Sequence, residues 1–110
     1  MDKRQPESVK NEIEIVKRFA SVVREIGIPV EEVYVFGSRI RGGAHKWSDL
    51  DVCVVSPAFG VDEIAELVLL SILKDRVNID IEAHPFSVQA FNNKYSPFVQ
   101  EIKRTGIKII

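Results

Sequence analysis

The sequence predicts a small α/β domain, α+β in its connectivity, built on a mixed β-sheet flanked by helices. Three observations predict it. Apolar residues recur at spacings of three and four in some segments, and in others at spacings of two or in unbroken β-branched runs. The two kinds follow one another as helix, strand, strand, helix, strand, helix, strand. A chain of 110 residues has room for one sheet and a few helices around a single core, so residues 1–110 read as one domain.

The first helix lies in the stretch from Val9 to Ile26, where Val9, Ile13, Val16, Phe19, Ala20, Val23 and Ile26 share one face. Ser8 is suited to cap its start, and Gly27 with Pro29 ends it. Glu32 to Phe36 is a β-branched and aromatic strand broken by Gly37, and a polar segment rich in Gly and Arg runs on to Ser48. From Asp49 to Val55 the chain is apolar on both faces apart from two carboxylates, as a central strand is, and Ser56-Pro57 closes it. Asp62 caps a second helix in which Ile64, Leu67, Val68, Leu70 and Ile72 are apolar. Glu63 and Glu66 suit its positive N-terminal end, and Lys74 the other. Val77 to Ala83 alternates strictly, placing Val77, Ile79, Ile81 and Ala83 inward and Asn78, Asp80, Glu82 and His84 outward. Pro85 to Lys94 is irregular or briefly helical, Pro97 to Thr105 is a helix stopped by Gly106, and Ile107 to Ile110 is a last strand.

Composition excludes several functions. No run approaches the roughly 18 apolar residues needed to span a bilayer. Met1-Asp2-Lys3-Arg4 leads into a charged segment unlike a signal peptide, which predicts a cytoplasmic protein. A single cysteine, Cys53, excludes an internal disulfide and a Cys-rich zinc site. With a net charge of −1 there is no overall basic field, so a long nucleic acid is not the expected ligand.

The informative constellation is Gly37-Ser38, ten residues, Asp49-Leu50-Asp51, and later Asp80-Ile81-Glu82. Residues two apart on a strand point the same way, so Asp49 and Asp51 present carboxylates on one side, about 7 Å apart along the chain. Two such charges on an apolar strand repel one another unless a cation lies between them. Oxygen ligands without His or Cys beside them suit Mg²⁺, which also accepts phosphate oxygens. Glycine at position 37 permits close backbone approach, and the Ser38 hydroxyl and following amides are suited to phosphate oxygens. Arg39, Arg41 and Lys46 add cations, and one of the two arginines is expected to meet a triphosphate. His45 and His84 read as loop or strand-edge residues, because a metal-bound His needs partners that the chain lacks. Cys53 reads as core filler rather than nucleophile, and Trp47 either stacks on a base or packs the loop.

Val35-Phe36-Gly37-Ser38-Arg39-Ile40-Arg41-Gly42, followed by Ser48-Asp49-Leu50-Asp51-Val52, resembles the signature of the minimal nucleotidyltransferases of the DNA polymerase β-like superfamily. The resemblance runs from the first strand to Gly106-Ile107. It implies a nucleotidyltransferase-like fold over residues 1–110, binding of an NTP, in particular ATP, and of two Mg²⁺ ions, and nucleotidyl transfer with release of pyrophosphate. Carried over, Gly37 and Ser38 hold the triphosphate, Asp49 and Asp51 bind both ions, and a third carboxylate on a neighbouring strand assists the catalytic ion. Asp80 and Glu82 both qualify; the run Glu82-Ala83-His84-Pro85-Phe86 is similar to relatives in which the glutamate serves, which favours Glu82.

A chain this short has little left over with which to recognise an acceptor. The resemblance points to a small helical partner protein, in a pair similar to toxin and antitoxin, as the recipient of AMP. A homodimer is the other way to complete such a site. The alternative from a different class is a non-catalytic antitoxin module of the same fold that neutralises a helical partner by contact. A transferase similar to aminoglycoside-modifying enzymes is disfavoured by the lack of an acceptor domain.

Overall fold

The computed structural model describes residues 9–41 and 49–110. In chain order these form α1 (Lys10–Glu25), β1 (Glu32–Phe36), α2 (Ser38–Arg41), β2 (Leu50–Val55), α3 (Glu63–Lys74), β3 (Ile81–Phe86), α4 (Val88–Phe91), α5 (Pro97–Thr105) and β4 (Ile107–Lys108). The expected alternation is present; the short helix α2 is added to it, and α4 falls in the stretch expected to be irregular or briefly helical. The strands make one mixed sheet in the order β3-β2-β1-β4, antiparallel except for the parallel β2–β3 pair that α3 connects.

Strand parity divides the core in two. Val33 and Val35 of β1, Leu50, Val52 and Val54 of β2, and Ile81 and Ala83 of β3 face α1 and α3, where they bury Val16, Phe19, Val23, Leu70 and Leu73. The alternate residues Phe36, Cys53 and Val55 face α4 and α5 and pack with Phe91, Val99 and Ile102. β2, central and covered on both faces, is buried at every position except Asp51. Gly106 allows the return from α5 to β4, for a Cβ there would stand 2.7 Å from the Ile102 carbonyl oxygen and 3.1 Å from that of Val35.

The third strand differs from its expected bounds. Val77 to Asp80 is not strand: the Val77 and Asn78 amides donate to the Lys74 carbonyl, and the Asn78 side chain accepts from the Asp80 amide at 2.8 Å, an Asx turn. Ile79, expected to face inward, is 72% exposed. β3 starts at Ile81 and takes in Pro85 and Phe86, which were expected in an irregular segment; as an edge strand it tolerates the proline. The last strand is also shorter than expected in its ladder, although the Ile109 amide still donates to Val33 O at 2.7 Å. Ser8, the expected first cap, lies outside the described residues.

α3 begins as expected, with the Asp62 side chain accepting from the Ala65 amide. Glu66 adds a second device: its carboxylate accepts from the amides of Gly60, Val61 and Asp62 at 2.9–3.0 Å. These bonds, that from Gly60 foremost, hold its carboxyl below the ordinary glutamate range. A depressed folded-state value means that the contribution is present above the unfolded value and disappears as pH falls through the folded one. Glu66→Gln is therefore expected to lower the urea midpoint at pH 7, with the difference from wild type vanishing as pH falls below the ordinary glutamate range. A difference that stayed constant with pH would contradict this role.

Candidate active site

The site is assembled where β1 ends and β2 and β3 begin. Gly37 leaves β1 with φ +96°, a conformation that L side chains rarely adopt. α2 follows at once, closed by the Ile40 and Arg41 amides donating to Gly37 O at 3.1 and 3.2 Å and anchored by Ile40, 2% exposed. In the antiparallel ladder Phe36 faces Asp51, and this pairing lays the Asp51 carboxylate against the Gly37 backbone. A Cβ at position 37 would overlap Asp51 Oδ2. The glycine of the Gly-Ser step thus makes room for the aspartate.

The parallel register aligns Asp51 with Glu82 and Cys53 with His84, on the face that α5 covers in part. Asp51, Glu82 and His84 each offer a donor atom, all within 4.8 Å of one another. His84 Nε2 is 3.2 Å from Asp51 Oδ1. The imidazole is held between Phe36 and Phe98, at ring-centroid distances of 5.4 and 5.8 Å. Two carboxylates so close repel one another, and a divalent cation relieves that repulsion. The donor set fits such an ion; its oxygens suit Mg²⁺, and the imidazole extends the range to softer ions such as Mn²⁺.

His84 was expected to lack partners for a metal, and here it has two. The signal lay in its spacing of two from Glu82 on an exposed strand face, and it gains meaning only from the β2–β3 register. Asp49 is exposed, one residue ahead of β2, and lies outside the Asp51–Glu82–His84 grouping. It joins Glu82 in lining a cleft of about 410 Å³ whose far wall is Leu67, Ser71 and Lys74 of α3.

Asp80, expected to share a strand face with Glu82, precedes β3 and turns to Arg39, with Nη1 3.4 Å from its Oδ2. Arg39 also reaches Glu12 of α1, 3.5 Å from Nε, and its side chain is 14% exposed. These ion pairs tie α1, α2 and the approach to β3 together. Arg41 is more open, with Nη1 3.7 Å from Glu101 of α5 and both side chains about half exposed. Cys53 is fully buried, and burial pushes its thiol far above the ordinary range, which suits core filler and not a nucleophile. His45, Lys46 and Trp47 lie outside the described residues.

A glycine turn beside clustered carboxylates is an arrangement suited to phosphate and a divalent cation. The model of the nucleotidyltransferase domain matches residues 16–109, and the chain belongs to that family. No curated protein matches it significantly. Among solved structures, a chain of a toxin–antitoxin complex with AMP-PNP is 26% identical, with 91% of this chain and 73% of that one covered and a TM-score of 0.60. A candidate nucleotidyltransferase of Sulfolobus solfataricus is 23% identical, with 81% and 80% covered and a TM-score of 0.60. A complex of a tri-AMPylated HEPN toxin of Shewanella oneidensis with its MNT antitoxin includes a chain 17% identical, with 90% and 71% covered and a TM-score of 0.56. The last two likenesses are of fold.

Proposed function

We propose that this protein is an active, Mg²⁺-dependent nucleotidyltransferase that moves AMP from ATP to a hydroxyl of a partner protein in the cytoplasm, releasing pyrophosphate. The observation that carries the reading is the contact of Asp51 with the Gly37 turn on one side and with Glu82 and His84 on the other. Asp49, Asp51 and Glu82 would hold two Mg²⁺ ions, whose chemistry when bound would be to neutralise the triphosphate and to acidify the acceptor hydroxyl. Glu82, and not the Arg39-paired Asp80, is the third carboxylate and takes the acceptor proton. The acceptor oxygen forms its bond to the α-phosphorus as the α–β anhydride bond breaks, and the pyrophosphate departs in line. Gly37 and Ser38 hold the triphosphate through the turn. Arg41 is the arginine that meets it, since its exposed pair with Glu101 is readily exchanged for phosphate, whereas Arg39 is engaged by two carboxylates. An AMP-PNP complex and an AMPylated toxin among the similar structures support the choice of ATP and of a protein acceptor.

The test is calorimetric titration of the protein with a non-hydrolysable ATP analogue, with and without Mg²⁺, beside Asp49→Asn. Metal-dependent binding that a folded Asp49→Asn protein loses is the expected result. Absence of binding by wild type would replace the enzyme with the contact-only module.

A further inference from the structure

β3 brings one nitrogen donor to a group that is otherwise all oxygen. Glu82 and His84 are two apart on that strand and share its face, and the parallel register sets Glu82 opposite Asp51 of β2. His84 Nε2 lies 3.2 Å from Asp51 Oδ1, and about a quarter of each side chain is exposed, so solvent reaches the pair without surrounding it. Glu82, more exposed, completes three donors within 4.8 Å of one another. Two donors at right angles on an ion with bonds of about 2.1 Å stand about 3 Å apart, close to the separation of Asp51 from His84. The imidazole is also fixed in place. Phe36 of β1 and Phe98 of α5 flank it, and Phe98 packs in turn on Phe36 and Phe86. A ring so held does not have to be ordered when a ligand arrives. Cations near the site are turned to other carboxylates, Arg39 to Glu12 and Asp80, Arg41 to Glu101, and Lys74 to Asp75.

We propose that His84 is itself a metal ligand, and that with Asp51 and Glu82 it seats a divalent transition-metal ion before any nucleotide is bound. Carboxylates alone hold Mg²⁺ through one or two oxygens and leave the rest of its shell to water and phosphate, so such an ion arrives with the nucleotide. A third protein donor changes this, because the chain then supplies half of an octahedral shell by itself. A nitrogen donor also changes the preference. Imidazole adds little for Mg²⁺, a hard ion, and more for the first-row transition ions, with affinity rising from Mn²⁺ to Co²⁺. Of the two ion positions in the proposed reaction, the one beside Asp51 and Glu82 therefore discriminates against Mg²⁺, whereas Asp49, outside the grouping, serves the other with oxygen alone. The location rests on the reading of this site as a nucleotidyltransferase centre, but occupancy by an ion can be followed without ATP or turnover.

The test uses Mn²⁺ alone, which is paramagnetic and the weakest binder of its series, followed by electron paramagnetic resonance on the nucleotide-free protein. Wild type is expected to bind a single Mn²⁺ whose spin-echo spectrum shows a directly bonded nitrogen. Co²⁺ should displace it readily, and Mg²⁺ only at concentrations at least about tenfold above those of Mn²⁺. In His84→Gln the nitrogen signal should vanish and Mn²⁺ affinity fall at least about tenfold, with circular dichroism unchanged. Should that variant fail to fold, the wild-type spectrum decides by itself. Mn²⁺ bound without nitrogen coupling would overturn the proposal and leave His84 a hydrogen-bonding partner of Asp51. So would an absence of Mn²⁺ binding until an ATP analogue is added, or an affinity that His84→Gln does not change. Nitrogen-coupled Mn²⁺ in a protein that transfers no nucleotide would uphold the ligand and remove the reaction, while turnover without nitrogen coupling would do the reverse.

Discussion

Asp51→Asn is expected to abolish nucleotidyl transfer, by at least about a thousandfold, while leaving the fold in place. Asp51 is the residue on which the site converges: its Oδ2 abuts the Gly37 turn, its Oδ1 faces His84, and the register sets it beside Glu82. Asparagine keeps the shape and can still accept a hydrogen bond from the imidazole, so packing is retained. Removing one of two neighbouring negative charges also relieves repulsion. The metal-free variant should therefore be as stable as wild type or more so, by up to about 1 kcal/mol. Thermal melts in EDTA, set beside turnover assays in Mg²⁺, separate the two effects. Turnover at the wild-type rate would remove Asp51 from the mechanism; a large loss of stability would make it a structural residue instead.

Gly37→Ala is expected to damage stability and chemistry together. The backbone at φ +96° is strained for alanine, and its methyl group would occupy the space of Asp51 Oδ2. Either the turn or the carboxylate must move. The expected cost is about 1–3 kcal/mol in denaturant unfolding, with turnover reduced nearly as far as in Asp51→Asn. Joining the two changes should then lower turnover little further, because both act through one carboxylate. Independent, multiplying losses would show that Gly37 serves the substrate by a route that does not involve Asp51.

The order of elements was legible because helix and strand periods are local properties, and the caps at Asp62 and Gly106 fall where the sequence places them. β3 was displaced because Val77 and Ile79 continue, through a turn, an alternation that is strand only from Ile81 onward. Asp51 and Glu82 were legible as candidates from spacing within each strand. Their juxtaposition was not, since the β2–β3 register is a long-range property that no local pattern encodes. His84 was set aside for the same reason. The choice between Asp80 and Glu82 rests on a salt bridge from Arg39, and nothing local in the sequence directs that arginine to Asp80 in place of phosphate. The apolar residues of α3 were visible as composition, but which of them the fold leaves exposed depends on how the helix is laid on the sheet, a long-range property.

The pairing of Phe36 with Asp51 has an entropic corollary. The two halves of the Gly-Ser and Asp-x-Asp signature are fastened to facing positions of neighbouring strands, about 5 Å apart. Their relative position is thus set by the ladder and not by the chain that links them. Doubling the length of that link costs only about 0.6 kcal/mol of closure entropy. A change of length between the two halves therefore need not disturb the pairing of Phe36 with Asp51.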